Sequence, residues 1–287
     1  MKLIFLDVDG TLTQPGENTP PDSALNAIKR SQAKGNKVFL CTGRNPDMLM
    51  PLLKYNFDGM IASAGGYVAL KSVDHEVQEA SLKYYNEILY NLPMTNQQRD
   101  TALEVLHRHG VFCTLEGVSG SWGDENLNEF LKDQPKGNSE IERWRKILST
   151  NLKIRPMSEY DGSLIHKIVV MCNKESQLDE ARALLENDFN FVIHETPPGL
   201  NCINCELINR KFNKGTGVKL IREKFNVELE NSFGFGDSMN DLEMMREVGT
   251  SVCMESGAEG LKKLVNKICP AVEDDGIARA FEDLKLI

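Results

Sequence analysis

Asp7 and Asp9 stand two residues apart in the opening stretch KLIFLDVDGTLT, directly after the apolar run Leu3, Ile4, Phe5 and Leu6. A short continuous apolar run that ends in Asp and Gly suits a strand buried in a parallel sheet, and ligands bind an open α/β sheet outside the C-terminal ends of its strands. Gly10 lets the backbone turn tightly there. The pair therefore marks a candidate site, although Asp9-Gly10 can equally serve as plain turn chemistry at a strand end. Three later groups stand at similar places: Thr42-Gly43-Arg44 after a second apolar run, Lys214-Gly215 opening a helical pattern, and Asp237-Ser238-Met239-Asn240-Asp241 after Gly236. Taken singly, each has an everyday use. Thr42 can cap the next helix, Lys214 can be a solvated helix-start lysine, Arg44 a surface residue, and Asn240 and Asp241 a turn residue and an N-cap.

The elements that must hold these groups follow from hydrophobic spacing. Thr19-Pro20-Pro21-Asp22 starts a helix with Ala24, Leu25 and Ile28 on one face, Lys37–Cys41 is a second strand, residues 46 to 55 a helix, and Met60-Ile61 the centre of a third strand. Ser63 to Tyr67 form a glycine-containing loop, and residues 67 to 70 with 76 to 80 predict a hairpin. From Leu82 the texture changes to α+β. Helices are expected over 83 to 91, 97 to 109, 140 to 148 and 176 to 187, strands over 111 to 115, 164 to 171, 189 to 195 and 201 to 208, and a Gly-rich loop over 117 to 123. Regular alternation resumes at Lys214, with a helix marked by Val218, Ile221 and Phe225, a strand over 232 to 236, a helix with Leu242, Met245 and Val248 inward, a strand over 250 to 254, and helices near 258 to 266 and 276 to 284. The expected fold class is α/β: a doubly wound parallel sheet core formed by residues 1 to 81 plus 210 to 287, with an inserted α+β domain over 82 to 209.

Composition narrows the function classes. A length of 287 residues suggests about two domains, 41% hydrophobic content supplies a core, and 26% charged residues fit an ordinary globular protein. A net charge of −9 argues against a broad nucleic-acid footprint while leaving room for a small anionic substrate at a local site. No apolar stretch is long enough to cross a bilayer, and the start of the chain lacks the pattern of a secretory leader, so the expected location is cytoplasmic, with no membrane partner. The seven cysteines do not suggest a disulfide framework. Cys202 and Cys205 form a lone CxxC without a second pair or ligand histidines nearby, and Cys205 is expected to face the core from a strand.

The four groups, in this order and with this insert, resemble the motifs of the haloacid dehalogenase (HAD) superfamily of phosphotransferases. The insert lies where the Cof-type sugar-phosphate phosphatases, subfamily IIB, carry an α/β cap. The resemblance covers nearly the whole chain and implies a Rossmann-like core with a cap that sets substrate specificity. It makes Asp7 the nucleophile that becomes an aspartyl-phosphate and Asp9 the general acid and base, with Lys214 as a charge between nucleophile and phosphate. It also implies Mg²⁺ held by the Asp7 side chain, the Asp9 backbone carbonyl and Asp237, with Asn240 and Asp241 holding those ligands in place. Thr42, Gly43 and the amides after Asp7, including Gly10, would bind the transferred phosphoryl oxygens; Asn240 and Arg44 would contact phosphate or substrate. There is a physical reason for such a cation. Asp7 and a phosphate dianion repel by about 4 kcal/mol per charge pair at ~4 Å in an effective dielectric of ~20. Two stretches depart from the family pattern: Met254-Glu255-Ser256-Gly257 stands where Asn-Ala commonly follows the Met, and Ser63-Ala64-Gly65-Gly66 where the loop commonly reads Asn-Gly.

The resemblance implies a Mg²⁺-dependent phosphomonoesterase acting on a small phosphorylated metabolite such as a sugar phosphate. One alternative is a phosphohexose mutase, which needs a second, basic phosphate site; Arg99, Arg108, Arg143, Arg145, Arg155 and Arg182 are available in the insert. Another is a non-catalytic metal-binding regulator switched at Asp7. The superfamily's transient ATPases replace the second aspartate with Thr, so Asp9 favours hydrolysis. Loops 117 to 123 and 197 to 201 are the candidates for reaching the substrate.

Overall fold

A computed structural model describes residues 1–72, 79–132, 154–194 and 202–287. Contacts divide the chain into two compact units, residues 1–44, 49–91 and 212–287 in one, and 45–48 with 92–211 in the other. The division therefore falls near 91 and 211 where the sequence suggested 81 and 209.

The first unit is built on β1 (Leu3–Leu6), whose four residues are all 0% exposed. It lies between β2 (Lys37–Cys41) and β12 (Ser232–Gly236), parallel to both, with Leu3 opposite Lys37 on one side and Ser232 on the other. The sheet continues through β3 (Gly59–Ala62), β4 (Tyr67–Leu70) and β5 (Glu87–Asn91) on one side, and through β13 (Thr250–Met254) and β14 (Lys267–Cys269) on the other. Its order is β14-β13-β12-β1-β2-β3-β4-β5, every pairing parallel except β3–β4 and β4–β5, so that β4 alone runs against the rest. Leu3, Phe5 and Phe39 face a cluster containing Val218, Ile221, Met244 and Met245, which come from α6 (Lys214–Phe225) and α7 (Leu242–Arg246). On the opposite face the Phe235 ring packs 5.5 Å from Phe281 of α9 (Gly276–Asp283), and α9 lies against α1 (Asp22–Ala33). Helices on both faces explain why the strands read as unbroken apolar runs. This is the doubly wound core.

Several elements differ from expectation. Residues 83 to 91, predicted as helix, hold a 3₁₀ turn at Leu82–Tyr84 followed by β5. The stretch EILYN pairs antiparallel with β4, and Glu87 binds Lys224 at 2.5 Å, so sheet pairing and a cross-element ion pair override a weak local helix preference. β4 thus has β3 and β5 as partners rather than the predicted strand at 76 to 80, of which 76 to 78 lie outside the described residues and 79 and 80 are not strand. The predicted helix near 258 to 266 is the single turn α8 (Glu259–Lys262), and the unpredicted edge strand β14 follows it.

The second unit contains a sheet ordered β10-β11-β9-β6-β7-β8. Its strands are β6 (Phe112–Gly117), β7 (Gly120–Gly123), β8 (Ile154–Pro156), β9 (Ile165–Cys172), β10 (Phe189–Ile193) and β11 (Ile203–Asn209), antiparallel except between β7 and β8. Leu115, Ile168, Cys205 and Leu207 pack against Leu106 of α3 (Asn96–Arg108) and Ala181 of α5 (Asp179–Leu185). The predicted Gly-rich loop 117 to 123 is the β6–β7 hairpin, closed by Gly117 opposite Gly120, whose φ of +151° suits glycine. The predicted helix 140 to 148 and loop 197 to 201 lie outside the described residues. Cys205 faces the helical side and Cys202 a separate cluster with Val169 and Met171, and both are buried and outside any disulfide. Among the described residues no helix is long and apolar enough to cross a membrane.

Strand alternation places Glu116, Lys167 and Glu206 on the sheet face opposite those helices. Lys167 Nζ lies 3.1 Å from Glu116 Oε2 and 2.7 Å from Glu206 Oε1, with its side chain 4% exposed. Burial opposes the Glu206 charge, but Lys167 and then His194 outweigh it and hold the carboxyl far below its ordinary 4.5. A depressed carboxyl stabilises the fold above its unfolded value and loses that contribution as pH falls below about 4.5 toward the folded value. Lys167→Met should cost about 3–5 kcal/mol at neutral pH, because two carboxylates remain buried without their cation. Chemical denaturation measures this, and a loss below about 1 kcal/mol would mean that water solvates the pair.

Candidate active site

All four sequence motifs fall in the first unit, at the C-terminal ends of β1, β2 and β12 and at the start of α6. Asp7 extends the β1–β12 ladder by donating its N–H to Phe235 O at 2.9 Å, so its backbone is fixed by the sheet itself. Lys214 reaches it from α6, where Asn213 and Thr216 form a reciprocal cap that sets the first turn. Lys214 Nζ donates to Asp7 Oδ1 at 2.6 Å, to Asp241 Oδ1 at 2.6 Å and to Asn240 Oδ1 at 3.2 Å. Its side chain is 2% exposed. Burial works against the ammonium charge, yet Asp241 and Asp7 override it and hold the group charged well above its usual range.

Asp7, Asp237 and Asp241 each offer a carboxylate oxygen, and these oxygens lie within 4.8 Å of one another. Burial is the main cause that pushes Asp7 up to about 7, against the pull of Lys214, and Asp237 up to about 8, where Asp7 and Asp241 add to the rise. Asp241 is tied down on both sides: Oδ1 binds Lys214, while Oδ2 accepts Asp237 N at 3.0 Å and Ser238 N at 3.1 Å. It shapes the turn that presents Asp237. One ammonium does not balance three carboxylates, and the ligand-type atoms here are all oxygen. That donor set fits a hard divalent cation held by Asp7 and Asp237, with Asp241 and Lys214 orienting them.

Gly10 explains how tightly the strand ends approach. Its φ is +79°, and a Cβ on it would lie 2.5 Å from Asp237 Oδ2. Its amide, expected to bind a phosphoryl oxygen, donates here to Thr13 O at 2.8 Å, and the glycine is needed for the close approach. Ala258 N donates to Asp237 O at 2.7 Å, and a Cβ on Gly257 would meet that same oxygen at 2.5 Å. The departure at Ser256-Gly257 thus sits in a turn that braces Asp237 from behind, a role the sequence did not signal.

Thr42 is 2% exposed, and its Oγ1 accepts Arg44 N at 3.2 Å while the hydroxyl proton remains to be donated. Beside it, a Cβ on Gly43 would meet nothing within 4 Å, so the backbone there borders open space. The Ser63-Ala64 turn buttresses this loop: Ser63 N donates to Arg44 O at 2.8 Å and Ala64 N to Thr42 O at 3.0 Å. Both residues are left-handed, with φ of 49° and 56°, an unfavourable state for L side chains that the surrounding hydrogen bonds sustain. The next residue, Gly65, packs against the chain so closely that a Cβ would lie 2.2 Å from Asn213 O, the cap of the lysine helix.

The Asp9 side chain is held by donors other than Lys214. Its carboxylate accepts Gly16 N at 2.7 Å, Arg44 Nε at 2.8 Å and Arg44 Nη2 at 2.7 Å. Arg44, expected to contact substrate, is 5% exposed and also donates to Asn18 Oδ1 at 2.6 Å and Glu17 O at 2.9 Å. Gly16, Glu17 and Asn18 carried no sequence signal, being ordinary loop residues until tertiary contact gives them a partner.

Residues 4–281 match the model of the haloacid dehalogenase-like hydrolases. The chain belongs to that family. It is 25% identical over 292 residues to the 5-amino-6-(5-phospho-D-ribitylamino)uracil phosphatase YitU of Bacillus subtilis, covering 98% of this chain and 96% of YitU. Among solved structures it superposes on the HAD subclass IIB sugar phosphatase BT4131 with a TM-score of 0.74 at 20% identity, covering 100% of both chains. BT1666 of Bacteroides thetaiotaomicron, another HAD phosphatase, gives 0.75 at 18% identity over 100% of this chain and 96% of its own. At these identities the likeness shows a shared fold.

A second group, His107, Cys113 and Asp124 of the other unit, also brings ligand-type atoms within 4.8 Å. There Asp124 accepts Cys113 N at 2.7 Å and lies 3.0 Å from His107 Nε2, and burial pushes the Cys113 thiol well up, so these contacts serve the fold.

The elevated carboxyls give a measurable linkage. Folded Asp7 and Asp237 keep protons up to about 7 and 8, whereas unfolded aspartates release them near 3.8, so metal-free stability falls as pH rises through that window. A divalent cation held by these carboxylates would replace those protons. Adding Mg²⁺ should therefore raise the thermal midpoint more at about pH 8.5 than at about pH 5.5. Asp237→Asn should remove most of that shift, and equal shifts at both pH values would contradict the assignment.

Proposed function

We propose that this HAD-type phosphatase is a Mg²⁺-dependent phosphomonoesterase that hydrolyses a small phosphorylated metabolite, a sugar phosphate, through an aspartyl-phosphate on Asp7. The observation that carries the reading is the contrast between its two leading carboxylates. Asp7 is buried and pinned through one oxygen by Lys214, while the Asp9 carboxylate is held by a different set of donors, Gly16 N and Arg44. Carboxylates in unlike environments serve unlike roles.

In the first step an Asp7 carboxylate oxygen bonds to phosphorus as the ester P–O bond breaks, and Asp9 gives its proton to the departing alkoxide. In the second, Asp9 takes a proton from water as that water's oxygen bonds to phosphorus; the acyl phosphate opens, restoring Asp7 and releasing phosphate. Bound Mg²⁺ would supply positive charge between Asp7 and the phosphate. Lys214 orients Asp7, and the Thr42 hydroxyl and Gly43 amide bind the transferred oxygens. Asn240, an acceptor for Lys214 and for Ser238 Oγ at 2.9 Å, helps to hold the lysine.

The unit over 92–211 supplies the substrate contacts in this reading. The sugar-phosphate class is supported by the resemblance to BT4131, named a sugar phosphatase, and to YitU, whose named substrate is a phosphorylated ribityl compound. Arg108 and Arg182 pair with Glu180 and Glu175, and Arg99 with Asp100, as helix-face cations do. Arg155 stacks 4.1 Å above the Trp122 ring, and Arg143 and Arg145 lie outside the described residues. Among the described residues, these pairings favour hydrolysis over a mutase that needs a basic second phosphate site.

Two substitutions test the division of roles. Asp7→Asn should abolish turnover of every ester. Asp9→Asn should slow an alkyl phosphate by roughly 10²–10⁴-fold, the usual worth of general acid–base catalysis. With nitrophenyl phosphate, whose leaving group hardly needs the proton, the same variant should release a burst near one nitrophenol per site and then stall as phosphoenzyme. Equal slowing on both esters with no phosphoenzyme by mass spectrometry would sink the assignment.

A further inference from the structure

We infer that Arg44 is the positioning residue of the acid/base carboxylate rather than a phosphate ligand, and that Asn18 latches it in that orientation. The inference rests on the phosphatase reading for its catalytic consequence but not for its geometry. A guanidinium grips an oxyanion best through the edge formed by Nε and one Nη, where two parallel N–H groups match two oxygens. On Arg44 that edge is taken: Nε donates to Asp9 Oδ2 at 2.8 Å and Nη2 to Asp9 Oδ1 at 2.7 Å. The remaining side is fixed by loop atoms, Nη2 to Glu17 O at 2.9 Å and Nη1 to Asn18 Oδ1 at 2.6 Å. The backbone is held as well, with Arg44 N on Thr42 Oγ1 at 3.2 Å and Arg44 O receiving Ser63 N at 2.8 Å. At 5% exposure this side chain is built into the wall of the site.

The arrangement gives the motif after β2 a second duty. Its first residue, Thr42, faces the transferred group, while its third fixes where the proton donor stands relative to the first. A two-point grip sets the plane of the Asp9 carboxylate, which a single hydrogen bond cannot do. Lysine in place of Arg44 would keep the charge but offer a point contact with no defined plane. Asn18 matters because it keeps the guanidinium from rotating about its stem, and its loss leaves the ion pair present but less constrained.

Arg44→Lys and Asn18→Ala, assayed on an alkyl phosphate and on nitrophenyl phosphate with Mg²⁺, separate positioning from phosphate binding. Positioning predicts that Arg44→Lys lowers kcat for the alkyl ester by about 10²-fold, with KM within about two-fold and the first-turnover release of nitrophenol from the nitrophenyl ester close to the wild-type rate. Asn18→Ala should show the same selective pattern at about ten-fold, and it leaves the buried charge pair intact should Arg44→Lys fold poorly. A phosphate ligand predicts the opposite, a higher KM and a slower first turnover on both esters, and that result would overturn the inference. A readout without turnover accompanies it: the Arg44 Nε–H proton of ¹⁵N-labelled protein should be slow to exchange in the wild type and in Asn18→Ala, and should shift and exchange faster in Asp9→Asn. A wild-type protein inert to all esters would defeat the phosphatase reading alone. An Arg44 Nε–H indifferent to Asp9→Asn would defeat the grip itself.

Discussion

One buried ammonium set between carboxylates governs how the first unit is built. Lys214 lies 2.6 Å from both Asp7 and Asp241, and none of the three is more than 5% exposed. Leaving a buried charge without its partner costs about 3–5 kcal/mol, so these groups tolerate burial only while their distances are kept. The partners come from opposite ends of the chain, and only a stiff frame can keep them in register. β1 and β12 do this directly, because the Asp7 amide is itself a rung of their ladder. Even so, the balance is incomplete. Asp7 and Asp237 remain raised toward neutrality, and that residual strain is the electrostatic basis for expecting a cation in a site of the haloacid dehalogenase family.

Crowding the carboxylates requires backbone where side chains would otherwise stand. A Cβ on Gly10 would strike the Asp237 carboxylate, one on Gly236 would lie 2.5 Å from Asp241 Cγ, and one on Gly257 would strike the Asp237 carbonyl. The left-handed Ser63 and Ala64 belong to the same economy of space. They let one short turn donate to both Thr42 and Arg44 while Gly65 presses on the cap of the lysine helix. Backbone strain there is of order 1–3 kcal/mol per residue, and it couples two motifs that share no covalent neighbourhood.

The second unit uses the same electrostatic device for another purpose. Glu116, Lys167 and Glu206 come from three adjacent strands, so their pairing fixes strand register as well as charge. A slip of one residue would send Lys167 to the helical face and bring His166 or Ile168 to the carboxylates. Register is thus specified twice, by the apolar cluster beneath α3 and α5 and by the ions on the opposite face.

The sequence by itself determined the α/β class, the place of β1, β2, β12 and α6, and the four motifs at their ends. Those signals are local: Leu3 to Leu6 is buried on both faces, so its apolar run is continuous, and an Asp at a strand end is visible without knowing the partner. Family resemblance then supplied roles that spacing alone left open. The tertiary structure decided what depends on distance across the chain. Glu87–Asn91 is a strand because β4 offers it an edge, and the helical reading of 83 to 91 had no means of seeing that edge. Gly10 proved to make room for Asp237, and Arg44 to grip Asp9, because close approach and the direction of a guanidinium are properties of the folded backbone. Asn18 and Gly16 acquire their parts only there, since a loop residue takes its partner from whatever the sheet brings within hydrogen-bonding reach.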